Sequence, residues 1–522
     1  MHMSGVSLRR SPFALLLAAA LCAGGTAHAS STLAPWVGTW AVSAKPIGQA
    51  NFGGLTLRHI VHTSIGGTSA RIRLSNANGD QPVTFADVHI AQSAGGSSSK
   101  PETDRQVFFS GQPTITLAPG QEVTSDGVDM PVPAVSDLTV SFYLPQPTNQ
   151  ITGHDFSAQT RYQANGDVAG QANINAAADQ NYAFLSNVDV QGDNPQGAVV
   201  TLGASITNGD GSTFNANKRW PNDLAARIVG AGKNVGVLDQ GISGNRLLQD
   251  GAGQSATNRF EHDVLNQSGV RWAVFSDDPI NDLGSQPVPS ADSLIHAEKD
   301  LIARAHDRGI KFLCSTLTPF EGSAGWSTQG EVVRGQINAF VRSADSGCDG
   351  VIDQDIATHD PAHPTRYLPA YDSGDHLHPN DAGHQAIANS VNLAFFTPPS
   401  MPAIAAPTGC GTIGPGEGIT PGQSVVSCDG GYHLDLQLDS NFVLYKGDTS
   451  IWLPSPWTYN SGAGELRLEA DGNLVVYSSL GTKIWQSGSG GHTSARLFVQ
   501  GDGNTVIYDD NGPIWNTGTA GQ

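Results

Sequence analysis

Residues 198–207 read AVVTLGASIT, an apolar run without a charge that stops on Gly203 and leads into Ser205. A short continuous apolar run bounded by small residues suits a strand buried on both faces. Such strands belong to parallel sheets, whose faces are covered by crossover helices. Downstream, apolar runs at Val235–Leu238, Trp272–Phe275 and Lys311–Cys314 alternate with amphipathic stretches at Pro221–Val229, Ser293–Ala305 and Val332–Val341. This alternation predicts an α/β domain with a parallel sheet over residues 197–397.

Ser205 then falls at the carboxyl end of a parallel strand, where open α/β sheets place ligands. The GxSxG elbow is absent, because residue 207 is Thr. A serine in this place is most often structural, so its partners decide. Near the end of the domain Asp375-His376-Leu377-His378-Pro379 precedes a helix expected from about Asn380. A carboxylate and an imidazole on one short loop supply the oriented base that a weakly nucleophilic hydroxyl needs. Pro379 biases His378 toward extended backbone and projects its ring, while His376 is expected to be structural. Two more loops follow strands: Gln240-Gly241-Ile242-Ser243-Gly244-Asn245 and Pro279-Ile280-Asn281-Asp282. A glycine N–H and an asparagine amide there are the donors an oxyanion requires.

GASIT, ISGN, IND and DHLHP, in this order, resemble the four blocks of the SGNH (GDSL) family of serine esterases and acylhydrolases. RWPNDLAARI from Arg219 and LRHIVHTSIGG from Leu57 extend the resemblance to about residues 35–397. It implies a flavodoxin-like parallel sheet with Ser205 as nucleophile, His378 as general base and Asp375 as its orienter. It also implies Gly244, Asn281 and the Ser205 amide as oxyanion donors, with no cofactor. Two positions depart from the family pattern. Ala204 replaces the Asp of GDS, removing a carboxylate expected to order the nucleophile's loop. Pro279 replaces the Gly of GxND and deletes a backbone donor beside Asn281. Asp277 and Asp278 add charge that opposes an oxyanion if they face inward. A metal at His359 and His363 is rejected, since Pro361 and Pro364 break the helix that their spacing would need.

Upstream, short β-rich runs such as SARIRLS (69–75) and DLTVSFYL (137–144) predict a β-sandwich-like domain over residues 30–196. His59 and His62, at odd spacing on one strand, face opposite sides. Downstream, the Pro/Ala-rich TPPSMPAIAAPT (397–408) marks a linker, placed at 398–412. A motif then recurs as QLDSNFVLY from Gln437, EADGNLVVY from Glu469 and QGDGNTVIY from Gln500, followed by Trp452, Trp485 and Trp515. Three copies predict a pseudo-threefold all-β module at 413–522. Period-two alternation places the polar positions on one strand face, a row of donors and acceptors suited to sugar hydroxyls.

This repeat resembles the bulb-type mannose-binding lectins, which are β-prisms. The resemblance implies sugar sites at Gln437, Asp439, Asn441, Val443 and Tyr445, and at Gln500, Asp502, Asn504, Val506 and Tyr508. In the second repeat Glu469 replaces Gln, leaving Asp471, Asn473, Val475 and Tyr477 in a weaker or silent site.

Charged residues are only 14% of the chain, Gly is high at 62 copies, and the net charge of −20 disfavours nucleic acid and anionic lipid. Arg9-Arg10, the apolar run Phe13–Ala23 and Ala27-His28-Ala29 predict a signal peptide over residues 1–29, hence secretion without a membrane span, with the periplasm as the other destination. Cys22 makes a weak lipobox after Leu21. The four remaining cysteines are expected as Cys314–Cys348 and Cys410–Cys428 disulfides. The chain therefore reads as a secreted serine esterase acting on acylated carbohydrate and carried to mannose-type glycans. A generic esterase or lipase, and a glycan-binding protein with a degenerate hydrolase domain, are the alternatives.

Overall fold

The computed structural model describes residues 34–398, 403–455, 458 and 461–522. The expected signal peptide, Cys22 and residues 399–402 of the linker lie outside the described residues.

Five parallel strands form the central sheet: β1 (Gly197–Gly203), β2 (Val235–Gly241), β3 (Val270–Phe275), β4 (Lys311–Ser315) and β5 (Gly350–Ile352). Their order is β2-β1-β3-β4-β5, the flavodoxin-like order, so the chain switches direction at β1. Every residue of β1 is buried, as its unbroken apolar run predicts. The helices that matter below are α1 (Ser205–Asn208), α2 (Trp220–Gly230), α3 (Asp278–Leu283), α4 (Ala291–Asp307), α5 (Thr328–Val341) and α6 (Asp381–Ser390). In α4, Leu294, Ala297, Leu301, Ile302 and Ala305 recur at helical spacing on the buried face, and the Ser290 hydroxyl caps its first turn by accepting from the Ser293 amide. Periodicity predicts neither α1 nor α3, which are only four and six residues long.

Residues 37–191 form antiparallel sheets. The SARIRLS and DLTVSFYL runs lie in strands Gly67–Ser75 and Ser136–Leu144, on different sheets. Their apolar faces share a core in which Phe85 meets Phe142 and Phe184 edge-on at 5.4 Å. His59 is buried and stacks on Tyr182, whereas His62 reaches the other way to Asp137 at 2.7 Å. The change of texture near Gly197 separates two folds but not two cores. The Gly38 amide donates to Ser268 O at 2.9 Å, and a Cβ on Gly236 would lie 2.0 Å from Gly38 O, so a backbone of the β region rests directly on the parallel sheet. One apolar cluster runs through both.

Residues 412–516 form three four-stranded antiparallel sheets around a separate core. Trp452, Trp485 and Trp515 pack edge to face on one another at 5.9–6.0 Å, the threefold centre that the repeat predicts. Cys314 is bonded to Cys348 and Cys410 to Cys428, with Cα separations of 5.8 and 5.1 Å. His359 and His363 sit in a two-stranded hairpin rather than a helix. Among the described residues no helix is long and apolar enough to cross a membrane.

Candidate active site

Ser205 is the first residue of α1, directly beyond the carboxyl end of β1. Its Oγ lies 2.8 Å from His378 Nε2, although the two residues are 173 positions apart. His378 Nδ1 lies 2.6 Å from Asp375 Oδ2. The other carboxylate oxygen, Oδ1, accepts the amides of Leu377 and His378 at 3.0 and 2.9 Å, so the loop folds around its own acid. Burial pushes the Asp375 carboxyl up, but the amide and ring of His378 and the amide of Leu377 outweigh it and hold it at about 2. His376, at φ +63°, turns away and pairs with Asp372, giving a second, parallel Asp–His pair that braces the loop. The Asn380 side chain caps α6 by accepting from Ala382 and Gly383.

The loops that carry the oxyanion candidates are tied to one another through neighbouring residues. Asn281 Nδ2 donates to Asn245 O at 2.8 Å, which fixes its amide one residue from Gly244 and, among the described residues, leaves its second N–H without a partner. Gly244 is exposed at φ +78°, a left-handed turn that favours glycine. Asn208 at the end of α1 donates to Ser243 Oγ at 2.8 Å, tying the same loop to the serine helix.

The structure shows what surrounds Ala204, Asp277 and Pro279. Ala204 offers α1 no side-chain cap, but Asp277 does so from across the sheet. Its Oδ2 accepts from the Ile206 amide at 2.8 Å, and its Oδ1 accepts from the Thr207 hydroxyl at 2.5 Å and the Thr207 amide at 3.3 Å. A carboxylate is lost at 204 and another is supplied at 277, aimed at the helix amides that would otherwise be orphaned. Asp278 points at Arg259, whose Nη2 donates at 3.1 Å, and burial raises its carboxyl to about 7 against that attraction. Pro279 occupies the second position of α3, where a backbone N–H has no partner inside the helix. Its missing donor therefore costs the helix nothing.

Two further residues at the site escape a reading by motif. Asp210 accepts from the Ser243 hydroxyl at 2.8 and 3.0 Å and stands 4.0 Å from His378 Nε2. Burial raises its carboxyl to about 6, opposed by Ser243 and His378. The N-terminal β region also reaches the site. His154 Nε2 lies 2.8 Å from Asn208 Oδ1, and Phe156 O accepts from Asn208 Nδ2 at 3.0 Å. Nothing in the sequence around residue 154 signals this, because the contact spans 54 positions.

In the C-terminal repeats the expectation of one alternating strand face is corrected. Gln437, Asp439 and Asn441 belong to a tight turn between strands Tyr432–Leu436 and Phe442–Lys446, and only Val443 and Tyr445 lie within a strand. Asp439 folds that turn by accepting the Asn441 amide at 2.9 Å, as Asp471 and Asp502 do for Asn473 and Asn504. Asn473 and Asn504 turn their carbonyl oxygens inward, to Ser489 N and to Thr519 N. Val443, Val475 and Val506 are covered, at 1, 0 and 3% exposure, which leaves the polar rim as the accessible surface. In repeats one and three the Gln amide donates to the tyrosine hydroxyl: Gln437 to Tyr445 at 2.8 Å and Gln500 to Tyr508 at 3.1 Å. The third repeat opens on a depression of about 490 Å³ lined by Arg496, Phe498, Gln500, Tyr508 and Asp509. In the second, Tyr477 instead donates to Glu469 at 2.6 Å, and Lys483 Nζ closes on the same carboxylate at 3.3 Å.

Residues 201–386 match the GDSL-like lipase/acylhydrolase family. Over 101 residues the chain is 35% identical to the B-type lectin plumieribetin of Scorpaena plumieri, covering 19% of this chain and 87% of that protein. Over 96 residues it is 40% identical to a mannose-specific lectin of Aloe arborescens, covering 17% and 82%. Among solved structures it is similar to a GDSL-like lipase from Bacteroides thetaiotaomicron, with 18% identity over 38% of this chain and 88% of that one and a TM-score of 0.30. It is also similar to the mannose-specific agglutinin of snowdrop, Galanthus nivalis, with 33% identity over 21% and 96% and a TM-score of 0.18.

Proposed function

We propose that this chain, which carries a GDSL-like lipase/acylhydrolase domain and belongs with the bulb-type mannose-binding lectins, is an extracellular serine esterase held on mannose-containing glycans. The observation that carries the reading is the unbroken relay from Ser205 Oγ through His378 to Asp375, at 2.8 and 2.6 Å. In this reading the α/β domain occupies residues 197–397 and the lectin the C-terminal prism, 413–522.

The Ser205–His378–Asp375 contacts support an acyl transfer. Ser205 Oγ attacks the ester carbonyl while His378 Nε2 takes its proton. Asp375 holds the other ring nitrogen protonated and stabilises the imidazolium that forms. The carbonyl oxygen, now anionic, is received by the amides of Ser205 and Gly244 and by the free N–H of Asn281. His378 returns its proton to the departing alcohol, leaving an acyl-enzyme that water hydrolyses by the same steps in reverse. Asp277 is a positioning residue: it fixes the first turn of α1 and with it the direction of the Ser205 hydroxyl. The substrate that suits both halves is an acylated carbohydrate, met where the prism finds its glycan, and the two disulfides suit an oxidising compartment.

Hydrolysis of short-chain p-nitrophenyl esters by the wild-type chain and by Ser205→Ala tests the proposal. The expected result is a loss of at least about 10³-fold in the variant with mannan binding retained. A wild-type chain that binds mannan but cleaves no ester would overturn the enzymatic half.

A further inference from the structure

Between the motif tyrosine and the next tryptophan the three repeats read YKGDTSIW from Tyr445, YSSLGTKIW from Tyr477 and YDDNGPIW from Tyr508. The second is one residue longer, and its turn carries the apolar Leu480 where the others carry Asp448 and Asn511. An added apolar residue at an exposed hairpin tip has no value to a free-standing prism.

In the structure this hairpin, β6 (Leu474–Ser478) and β7 (Lys483–Gln486), is inserted into the α/β domain. Leu480 is 7% exposed and belongs to the apolar cluster of the hydrolase and β regions, not to that of the prism. Thr482 Oγ1 donates to Val270 O at 2.9 Å, and the Lys483 amide donates to Arg308 O at 3.0 Å. Two glycines shape the socket. A Cβ on Gly269 would press on Leu480 Cδ1 at 3.2 Å, and Gly309 lies under Gly481 O. The polar end of the same hairpin is closed by the Glu469 carboxylate, held between Tyr477 and Lys483.

We infer that the second repeat has exchanged sugar recognition for docking, its β6–β7 hairpin being the clamp that fixes the prism to the α/β domain. The docking stands on these contacts alone; its consequence for sugar binding rests on the lectin role proposed above. The clamp grips the chain at the start of β3 and just before β4, whereas Ser205 lies beyond the opposite end of the sheet. Strands of this length, at about 3.3 Å per residue, separate the two by about 20 Å.

Small-angle scattering of the full chain, and limited proteolysis of its 397–408 linker, test the clamp in the wild type and in Leu480→Asp. We expect the wild type to scatter as one compact particle, and Leu480→Asp to show a larger radius of gyration and linker cleavage at least about tenfold faster, with ester hydrolysis unchanged. A wild-type profile of two freely jointed bodies would overturn the clamp whether or not the variant folds, as would a folded variant with unaltered scattering. Titration of the wild type with methyl mannoside should give two sites per chain. Three would overturn the loss of the second. Failure of ester hydrolysis would leave the scattering result standing, and so separates this inference from the enzymatic reading.

Discussion

The serine site and the prism sites are built in opposite ways. At the serine site the groups come from separate segments, Ser205 from one and the Asp375–His378 pair from another, and Ser205 and His378 meet across 173 positions. A prism site lies within nine consecutive residues and is written three times. The first has no spare copy and depends on everything that holds its loops in place. The second tolerates the loss of a copy and lets that copy take another use, as Glu469, Leu480 and Lys483 illustrate. A site assembled from distant segments concentrates its vulnerability, whereas a repeated local site dilutes it.

The sharpest way to break this comparison is at the oxyanion donors. Asn281→Ala should lower kcat about 10²–10³-fold in p-nitrophenyl ester assays with little change in KM, because the lost contact forms only in the transition state. A loss of less than threefold would mean that the site does not depend on this single donor. Asp277→Ala comes next, with an expected fall in kcat of about 10–100-fold from an uncapped α1. Restoring a carboxylate from the other side, as Ala204→Asp with Asp277→Asn, should recover part of that loss; no recovery would show that Asp277 acts otherwise than as the cap. In the prism the effects should be smaller and unequal. Tyr508→Phe should weaken mannan binding several-fold through lost multivalency, while Tyr477→Phe should change it by less than about twofold. Equal losses at both positions, measured by binding to immobilised mannan, would erase the distinction between the repeats.

The smallest effect concerns stability. Glu298 is fully buried beside the Cys314–Cys348 disulfide, and burial pushes its carboxyl up to about 8. The folded chain then keeps a proton that the unfolded chain releases near 4.5, so stability falls as pH rises between these values. Glu298→Gln should remove that slope, raising Tm by about 2–6 °C at pH 8 and by less at pH 5 in thermal scans.

The sequence was most legible where a signal is local. The buried run at 198–202 and its alternation with amphipathic stretches fall on the strands and helices observed, short of one to four residues at the ends. Ser205 is legible from its place at the end of a parallel strand, whereas its pairing with Asp375 and His378 rests on the resemblance of the four motif blocks, read in chain order. The prism repeat is visible in the sequence, but its alternation predicts a strand where Asp439 and its equivalents fold a turn. Asp277 is illegible for the opposite reason: its charge opposes an oxyanion only if it faces inward, and nothing in residues 275–282 tells that the carboxylate turns to the Ile206 and Thr207 donors.

By itself, then, the sequence determined the class of each region, the order of the sheet's chemistry and the existence of three related copies, all carried by periodicity and by short-range residue choice. Only the tertiary structure decided that the β region and the parallel sheet share a core and that Asp277 replaces the carboxylate missing at Ala204. It alone placed Leu480 and Thr482 of the second repeat against the α/β domain. Each of these is a contact between segments far apart in the chain. Such contacts are selected by the shape and polarity of surfaces that come into being only when the chain has folded, so no stretch of sequence carries them alone.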